Sequence, residues 1–174
     1  IKDVDYFCHP ETFFGKTRNP ASNILYRNIE GDSFEDNTVE HGLENYLPTT
    51  CYSYVDFDLD GDLDVLMAPE IGPIFLYENE NHKNQSIRFE LNDYRGNFYG
   101  IGSKIYIYYG DSKNQYREIL SSGGYKSFDE PIAHFGLGKN SEIDKVVIHW
   151  STGEKTEINR NFKAGQKYKI IRQK

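Results

Sequence analysis

The feature that most constrains the fold is a succession of short apolar runs, separated by clusters of Gly, Asn, Asp and Ser. Each run has the length of a β-strand, and no stretch sustains a helical period over three turns. Such spacing is typical of sandwiches and propellers, so the sequence predicts an all-β protein. The predicted strands are Ile24–Arg27, Tyr52–Asp56, Val65–Ala68, Ile74–Tyr77, Ile87–Leu91, Ile105–Tyr109, Tyr116–Leu120, Val146–Trp150, Lys155–Ile158 and Tyr168–Ile171.

The overall charge argues against a nucleic-acid partner. The formal net charge is −7, and an acidic surface repels the phosphate backbone. The basic residues near the end of the chain alternate with apolar ones, which predicts a terminal strand with a solvated basic face. They are Lys167, Lys169, Arg172 and Lys174. No run approaches the ~18 apolar residues of a membrane span, so we expect a protein that does not cross a membrane.

The first half of the chain differs in composition from the second. Glu78–Ser86 is polar throughout and is the best linker candidate, which places a predicted boundary near residue 84. We therefore expect domains at residues 1–84 and 85–174. The chain starts at Ile1, and we expect it to be a piece of a longer protein. Cys8 and Cys51 could form a disulfide or remain buried free thiols, and both readings stay open.

The segment Val55–Val65 places an aspartate at every second position. A plain strand would stack five carboxylates on one face, where adjacent like charges repel. A loop around Ca²⁺ explains the pattern, because this hard cation takes six to eight oxygen ligands. Gly61 permits the tight turn that such a loop needs. The predicted ligands are the side chains of Asp56, Asp58, Asp60 and Asp64 and the backbone carbonyl of Asp62.

Other readings of this loop are weaker. It begins like an EF-hand, but Met67 stands where that motif has its Glu, and no helices flank it. Magnesium prefers strict octahedral geometry and keeps its waters. Zinc prefers His and Cys, which the loop lacks. An acidic solvated turn without an ion is the remaining alternative.

No other motif points to catalysis. The histidines form no metal-binding cluster, and the phosphate-loop and nucleophile-elbow patterns are absent from the sequence. We therefore expect a protein that is not an enzyme. His134 is predicted to make a structural hydrogen bond in a turn, with a ligand contact as the alternative. Several tyrosines could form an aromatic face for sugars or proteins, but core or cross-strand pairing explains them as well. They are Tyr106, Tyr108, Tyr109, Tyr116 and Tyr125.

Two segments resemble the FG-GAP/VCBS repeat. One is Asp56–Asp64 with Val65–Met67 and Leu76–Asn79, and the other begins at Asn23–Asn28. Both share the pattern x-x-Leu-Tyr-x-Asn, roughly one propeller blade apart. The resemblance implies a β-propeller blade that binds Ca²⁺ through D-x-D-x-D-G-x-x-D. It carries over Asp56, Asp58, Asp60, Asp62 and Asp64 as metal ligands.

The second half resembles the ASPIC/UnbV domain. The matching words are Gly100–Lys104, Arg117–Glu118, Gly123–Tyr125, His134–Gly138 and Val147–Gly153. The family more often has Trp-Pro-Ser-Gly where this chain has Trp150–Gly153. The resemblance implies a small β-sandwich-like domain at the end of a propeller protein, without an accepted active site.

Together these expectations describe a calcium-stabilised binding or adhesion module, the C-terminal part of a larger propeller protein. We expect it to be secreted or on the outer cell surface, with a protein or carbohydrate ligand. Two alternatives remain. One is a non-catalytic accessory subunit of a cell-surface or outer-membrane complex. The other is a fragment of an enzyme whose active site lies in missing blades.

Overall fold

The all-β prediction is confirmed by a computed structural model that describes residues 23–80 and 83–174. These residues form twelve strands and no helix. The strands are β1 (Tyr26–Ile29), β2 (Ser33–Asp36), β3 (Thr49–Val55), β4 (Asp64–Pro69), β5 (Phe75–Tyr77), β6 (Gln85–Asp93), β7 (Lys104–Tyr109), β8 (Lys113–Glu118), β9 (Ile132–Gly138), β10 (Glu142–His149), β11 (Lys155–Lys163) and β12 (Lys167–Arg172). Within the described ranges, therefore, no helix is long and apolar enough to cross a membrane.

The described chain divides into two compact units. The first contains residues 23–53, 65–78 and 124–127. The second contains 54–64, 79–80, 83–123 and 128–174, so the aspartate-rich loop packs with the later strands. The domain boundary near residue 84 stays a prediction.

The first unit is built from small sheets with little apolar burial. β1 and β2 form an antiparallel hairpin, and β3, β4 and β5 form a three-stranded sheet in that order. Met67 is the only hydrophobic side chain buried among the described residues of this unit. The four-stranded propeller blade stays a prediction. Cys51 is half-buried in β3, and Cys8 lies outside the described residues, so their pairing stays open.

The second unit has one apolar core between two sheets. One sheet has the order β11-β10-β7-β8, and the other has β12-β6-β9 with β12 parallel to β6. Inward positions alternate along β6 and β7, as expected of strands with one buried face. Phe89 is fully buried at the centre, edge-to-face with Phe135 and Phe162. This core, which we call the apolar core, comprises Ile87, Phe89, Leu91, Ile105, Ile107, Tyr109, Ile119, Ala133, Phe135, Leu137, Ile143, Val146, Ile148, Trp150 and Phe162.

Each predicted strand overlaps an observed one, but two observed strands were not predicted. β2 is too polar to show a pattern, since all four of its residues are exposed. β9 contains His134, which was wrongly placed in a turn. Two glycines stand at outward positions of this strand and resemble turn residues, yet Ala133, Phe135 and Leu137 alternate with them and belong to the core. The linker candidate is also shorter than predicted, because Gln85 and Ser86 begin β6.

The predicted basic face of the last strand is wrong for Arg172. Lys167, Lys169 and Lys174 are exposed, but Arg172 is buried. Its guanidinium pairs with Asp93 at 2.9 Å and with Glu154 at 2.7 Å, and it lies over the Trp150 ring. These partners lie far away in sequence, so local alternation could not reveal them.

Tyr106 and Tyr116 are opposite each other on β7 and β8, and their rings stack at 5.4 Å between centroids. His149 lies against Tyr106 on the same face. For this pair the cross-strand interpretation is confirmed.

Candidate metal centre

The aspartate-rich loop, residues 56–64, connects the end of β3 to the first residue of β4. Its backbone turns sharply, with left-handed φ angles of 66° at Leu59 and 101° at Gly61. Each of two carboxylates accepts a hydrogen bond from a backbone N–H two residues further on. Asp58 accepts from Asp60 at 3.2 Å, and Asp60 accepts from Asp62 at 3.0 Å. The segment is therefore a curled loop, as the repulsion argument predicted, rather than an extended strand.

Three of the five predicted ligands come together. Carboxylate oxygens of Asp56, Asp58 and Asp64 all lie within 4.8 Å of one another. Asp56 and Asp64 are buried, whereas Asp58 is exposed. Asp60 and Asp62 are not members of this cluster. Their role as ligands stays a prediction.

Asp64 is the anchor of the loop. It is 1% exposed, and both of its carboxylate oxygens accept backbone hydrogen bonds. The donors are the N–H groups of Phe57, at 3.1 Å, and Asn79, at 2.8 Å. Asn79 also donates from its side chain to the Leu63 carbonyl at 3.3 Å. Each carboxylate oxygen has more than one lone pair, so these bonds leave acceptor capacity for a cation.

Asp56 has the least complete set of partners. Arg88 on β6 contacts its Oδ2 as an ion pair; the Asp56 side chain is buried, and that of Arg88 is 11% exposed. Within the described structure, neither oxygen of Asp56 has a partner in hydrogen-bonding geometry. A buried polar atom without a partner is costly unless something compensates it. The guanidinium supplies one positive charge beside Oδ2, and Oδ1 has acceptor capacity to spare.

The chemistry of this cluster fits calcium. All three converging groups are carboxylates, and the described cluster contains no His or Cys. Hard oxygen donors match a hard divalent cation, whereas zinc sites are rich in nitrogen and sulfur. The buried Oδ1 of Asp56 is the atom whose environment a cation would complete.

The apex of the loop is held by two side chains that the sequence did not connect with it. Gly61 is buried, and its carbonyl lies 3.0 Å from Nε2 of His134 on β9. The hydroxyl of Ser86 on β6 also donates to this carbonyl. His134 therefore makes the structural hydrogen bond that was predicted for it, although in a strand. Ser86 and Arg88 were missed, because no local pattern marks a contact across 25 or more residues.

Burial lowers the pKa of His134. The hydrogen bond to the Gly61 carbonyl raises it, the charges of Arg88 and Arg117 lower it, and Asp56 raises it; the net direction is downward. A lowered pKa favours the neutral imidazole. Because a carbonyl can only accept, Nε2 carries the proton.

A cavity of about 190 Å³ borders this region. Its lining includes Asp56, Arg88 and His134 together with Arg117 and Glu118. Asp129 and Glu130 also line the cavity, so its wall carries both acidic and basic side chains.

Comparison with known proteins supports part of the resemblance. Residues 93–174 match the family model described as ASPIC and UnbV. The ASPIC/UnbV resemblance is thereby confirmed for this part of the chain, which contains most of the second unit. The FG-GAP/VCBS resemblance stays a prediction.

Similarity to curated relatives extends over more of the chain. Cartilage acidic protein 1 of Homo sapiens is 30% identical over 97% of this chain, which covers 26% of that protein. The Mus musculus and Xenopus tropicalis proteins of the same name are 30% and 32% identical over 87% of the chain. In both cases the match covers 25% of the relative. The chain thus spans about a quarter of the length of these relatives.

Proposed function

We propose that this chain is a calcium-stabilised, non-enzymatic binding module of a larger extracellular protein. The observation that carries the proposal is the convergence of Asp56, Asp58 and Asp64, with the buried Oδ1 of Asp56 lacking a hydrogen-bond donor. The side chains that would hold the ion are these three, and Asp60 and the Asp62 carbonyl are the further oxygens expected from the spacing.

Calcium would act on stability rather than on chemistry. The loop joins β3 to β4, and Asp64 already ties it to Asn79. An ion bound by both ends of the loop stabilises only the folded arrangement, so its binding free energy adds to the free energy of unfolding. Without the ion, the converging carboxylates repel one another and oppose the same fold.

The extracellular setting is supported by the names of the relatives, and the proposed calcium site agrees with it. The relatives carry the name cartilage acidic protein 1, which associates those proteins with cartilage. Extracellular modules also use calcium sites with dissociation constants of roughly 10⁻⁴–10⁻³ M, so a half-exposed site would be loaded there. The partner at the cell surface would be a protein or a carbohydrate, recognised by the larger protein.

The proposal is tested by thermal unfolding in calcium and in EDTA. We expect chelation to lower the melting temperature of the chain. Replacing two loop residues, as Asp58→Ala with Asp60→Ala, should remove this sensitivity. The matched control is Asp111→Ala with Asp144→Ala, which removes two exposed carboxylates of the same unit outside the loop.

The control variant should keep the full response to calcium. An unchanged melting temperature of the unaltered chain in EDTA would count against the proposal. So would a response lost equally in the control, because it would reflect general charge repulsion rather than a site.

A further inference from the structure

Three residues on the outer face of β6 and β9 contact the aspartate-rich loop. They are Ser86, Arg88 and His134, which we call the loop platform. Ser86 and Arg88 are two residues apart on β6, and Arg88 is the cross-strand partner of His134. Their neighbours Ile87, Phe89, Ala133 and Phe135 point the other way, into the apolar core. The period of two in each strand therefore puts all three platform side chains on one face.

The loop platform contacts the aspartate-rich loop at two residues, Asp56 and Gly61. Arg88 reaches Asp56, the first predicted ligand, while Ser86 and His134 both reach the Gly61 carbonyl at the apex. Gly61 lies between Asp60 and Asp62, so fixing its peptide fixes the path of the backbone through the predicted ligands. The fit is close: a Cβ on Gly61 would lie 3.1 Å from the Ser86 hydroxyl, and its φ of 101° already disfavours any other residue.

We infer that Ser86 and His134 are positioning residues for the cation. Both side chains hydrogen-bond to the Gly61 carbonyl, and they act by holding the loop in its curled form before the ion binds. A flexible loop would have to be ordered at the moment of binding, and that ordering costs free energy. Partners outside the ligand shell orient metal ligands in the same way elsewhere. The inference rests on the proposed calcium site.

The conformation of the candidate site therefore depends on two strands of the second unit, β6 and β9. β6 and β9 belong to the sheet that closes the apolar core, and their outer face holds the loop. Calcium affinity is therefore set in part by strands that lie 25 to 73 residues away in sequence.

The test is isothermal titration of the full chain with CaCl₂ after chelation, combined with unfolding in EDTA. The double variant Ser86→Ala with His134→Leu should weaken calcium binding by about 10–100-fold. Ser86→Ala alone should weaken it less, in the same direction, and serves if the double variant fails to fold. The single variant His134→Gln keeps an N–H donor at this position, so it should retain most of the calcium affinity of the unaltered chain.

His149→Leu is the matched control, because His149 lies on β10 at an exposed position away from the loop. It should leave the affinity unchanged. A purely structural role for the two residues would lower stability in EDTA and leave the calcium affinity of every variant as it was, and that result would overturn the inference. Absence of binding by the unaltered chain would instead overturn the proposed calcium site itself.

Discussion

The apolar core and the aspartate-rich loop lie in the same unit but are stabilised in opposite ways. The core is a set of side chains such as Phe89, Phe135 and Phe162 that are fully removed from water. The loop is a set of carboxylates held by backbone N–H groups, one guanidinium and two neutral donors. Burial stabilises the first under any ionic condition. Charge neutralisation stabilises the second, so its contribution should depend on what cations are present.

The strongest test of this contrast is a cavity in the core. Phe89→Ala should lower the free energy of unfolding by about 3–5 kcal/mol, because the ring contacts three other aromatic rings and is fully buried. The loss should be the same in calcium and in EDTA, measured by urea denaturation. Leu120→Ala, at a residue 55% exposed, is the control and should change stability by no more than about 0.5 kcal/mol. If calcium restored the stability lost in Phe89→Ala, the stability of the apolar core would depend on calcium, and the contrast with the loop would be wrong.

The next largest effect should come from the ion pair at the loop. Arg88→Met keeps the apolar stem but leaves Asp56 without its guanidinium, which should cost about 3 kcal/mol in EDTA. Unlike the loss at Phe89, part of this loss should return in calcium, because the ion supplies positive charge to the same carboxylate. Urea denaturation in the two conditions measures both values.

Lys169→Met is the matched control for Arg88→Met. The Lys169 ammonium pairs with Glu90 at 3.0 Å, and the Lys169 side chain is 52% exposed. We therefore expect the free energy of unfolding to change by about 0–1 kcal/mol, with no dependence on calcium. Equal losses for Arg88→Met in calcium and in EDTA would show that Arg88 and the cation do not share Asp56.

The smallest expected effect is a gain in the stability of the chain from one substitution in the aspartate-rich loop. Leu59 is 74% exposed and has a left-handed φ of 66°, which costs a residue with a Cβ roughly 1 kcal/mol. Asn adopts this conformation more readily, so Leu59→Asn should stabilise the chain by up to about 1 kcal/mol. Thermal unfolding in calcium measures it. A clear loss would mean that the side chain of Leu59 has a role that its exposure does not show.

The sequence predicted the parts of this molecule that depend on local patterns. Alternating apolar residues in β6 and β7 and the continuous apolar run in β10 located three strands of the core, and the aspartate spacing located the loop. The loop platform could not be predicted, since it depends on the register of β6 against β9. His134 shows the limit well: its hydrogen bond was expected, but glycines on its strand suggested a turn. Arg172 shows the same limit, because its buried partners Asp93 and Glu154 lie in other parts of the chain.

The most direct test of the central claim is a crystal structure of the chain grown with calcium. We predict a cation among the oxygens of Asp56, Asp58 and Asp64, at ~2.3–2.6 Å from its ligands. Anomalous scattering would identify the ion. A map that shows the aspartate-rich loop well ordered, with no cation density between these carboxylates, would contradict the account.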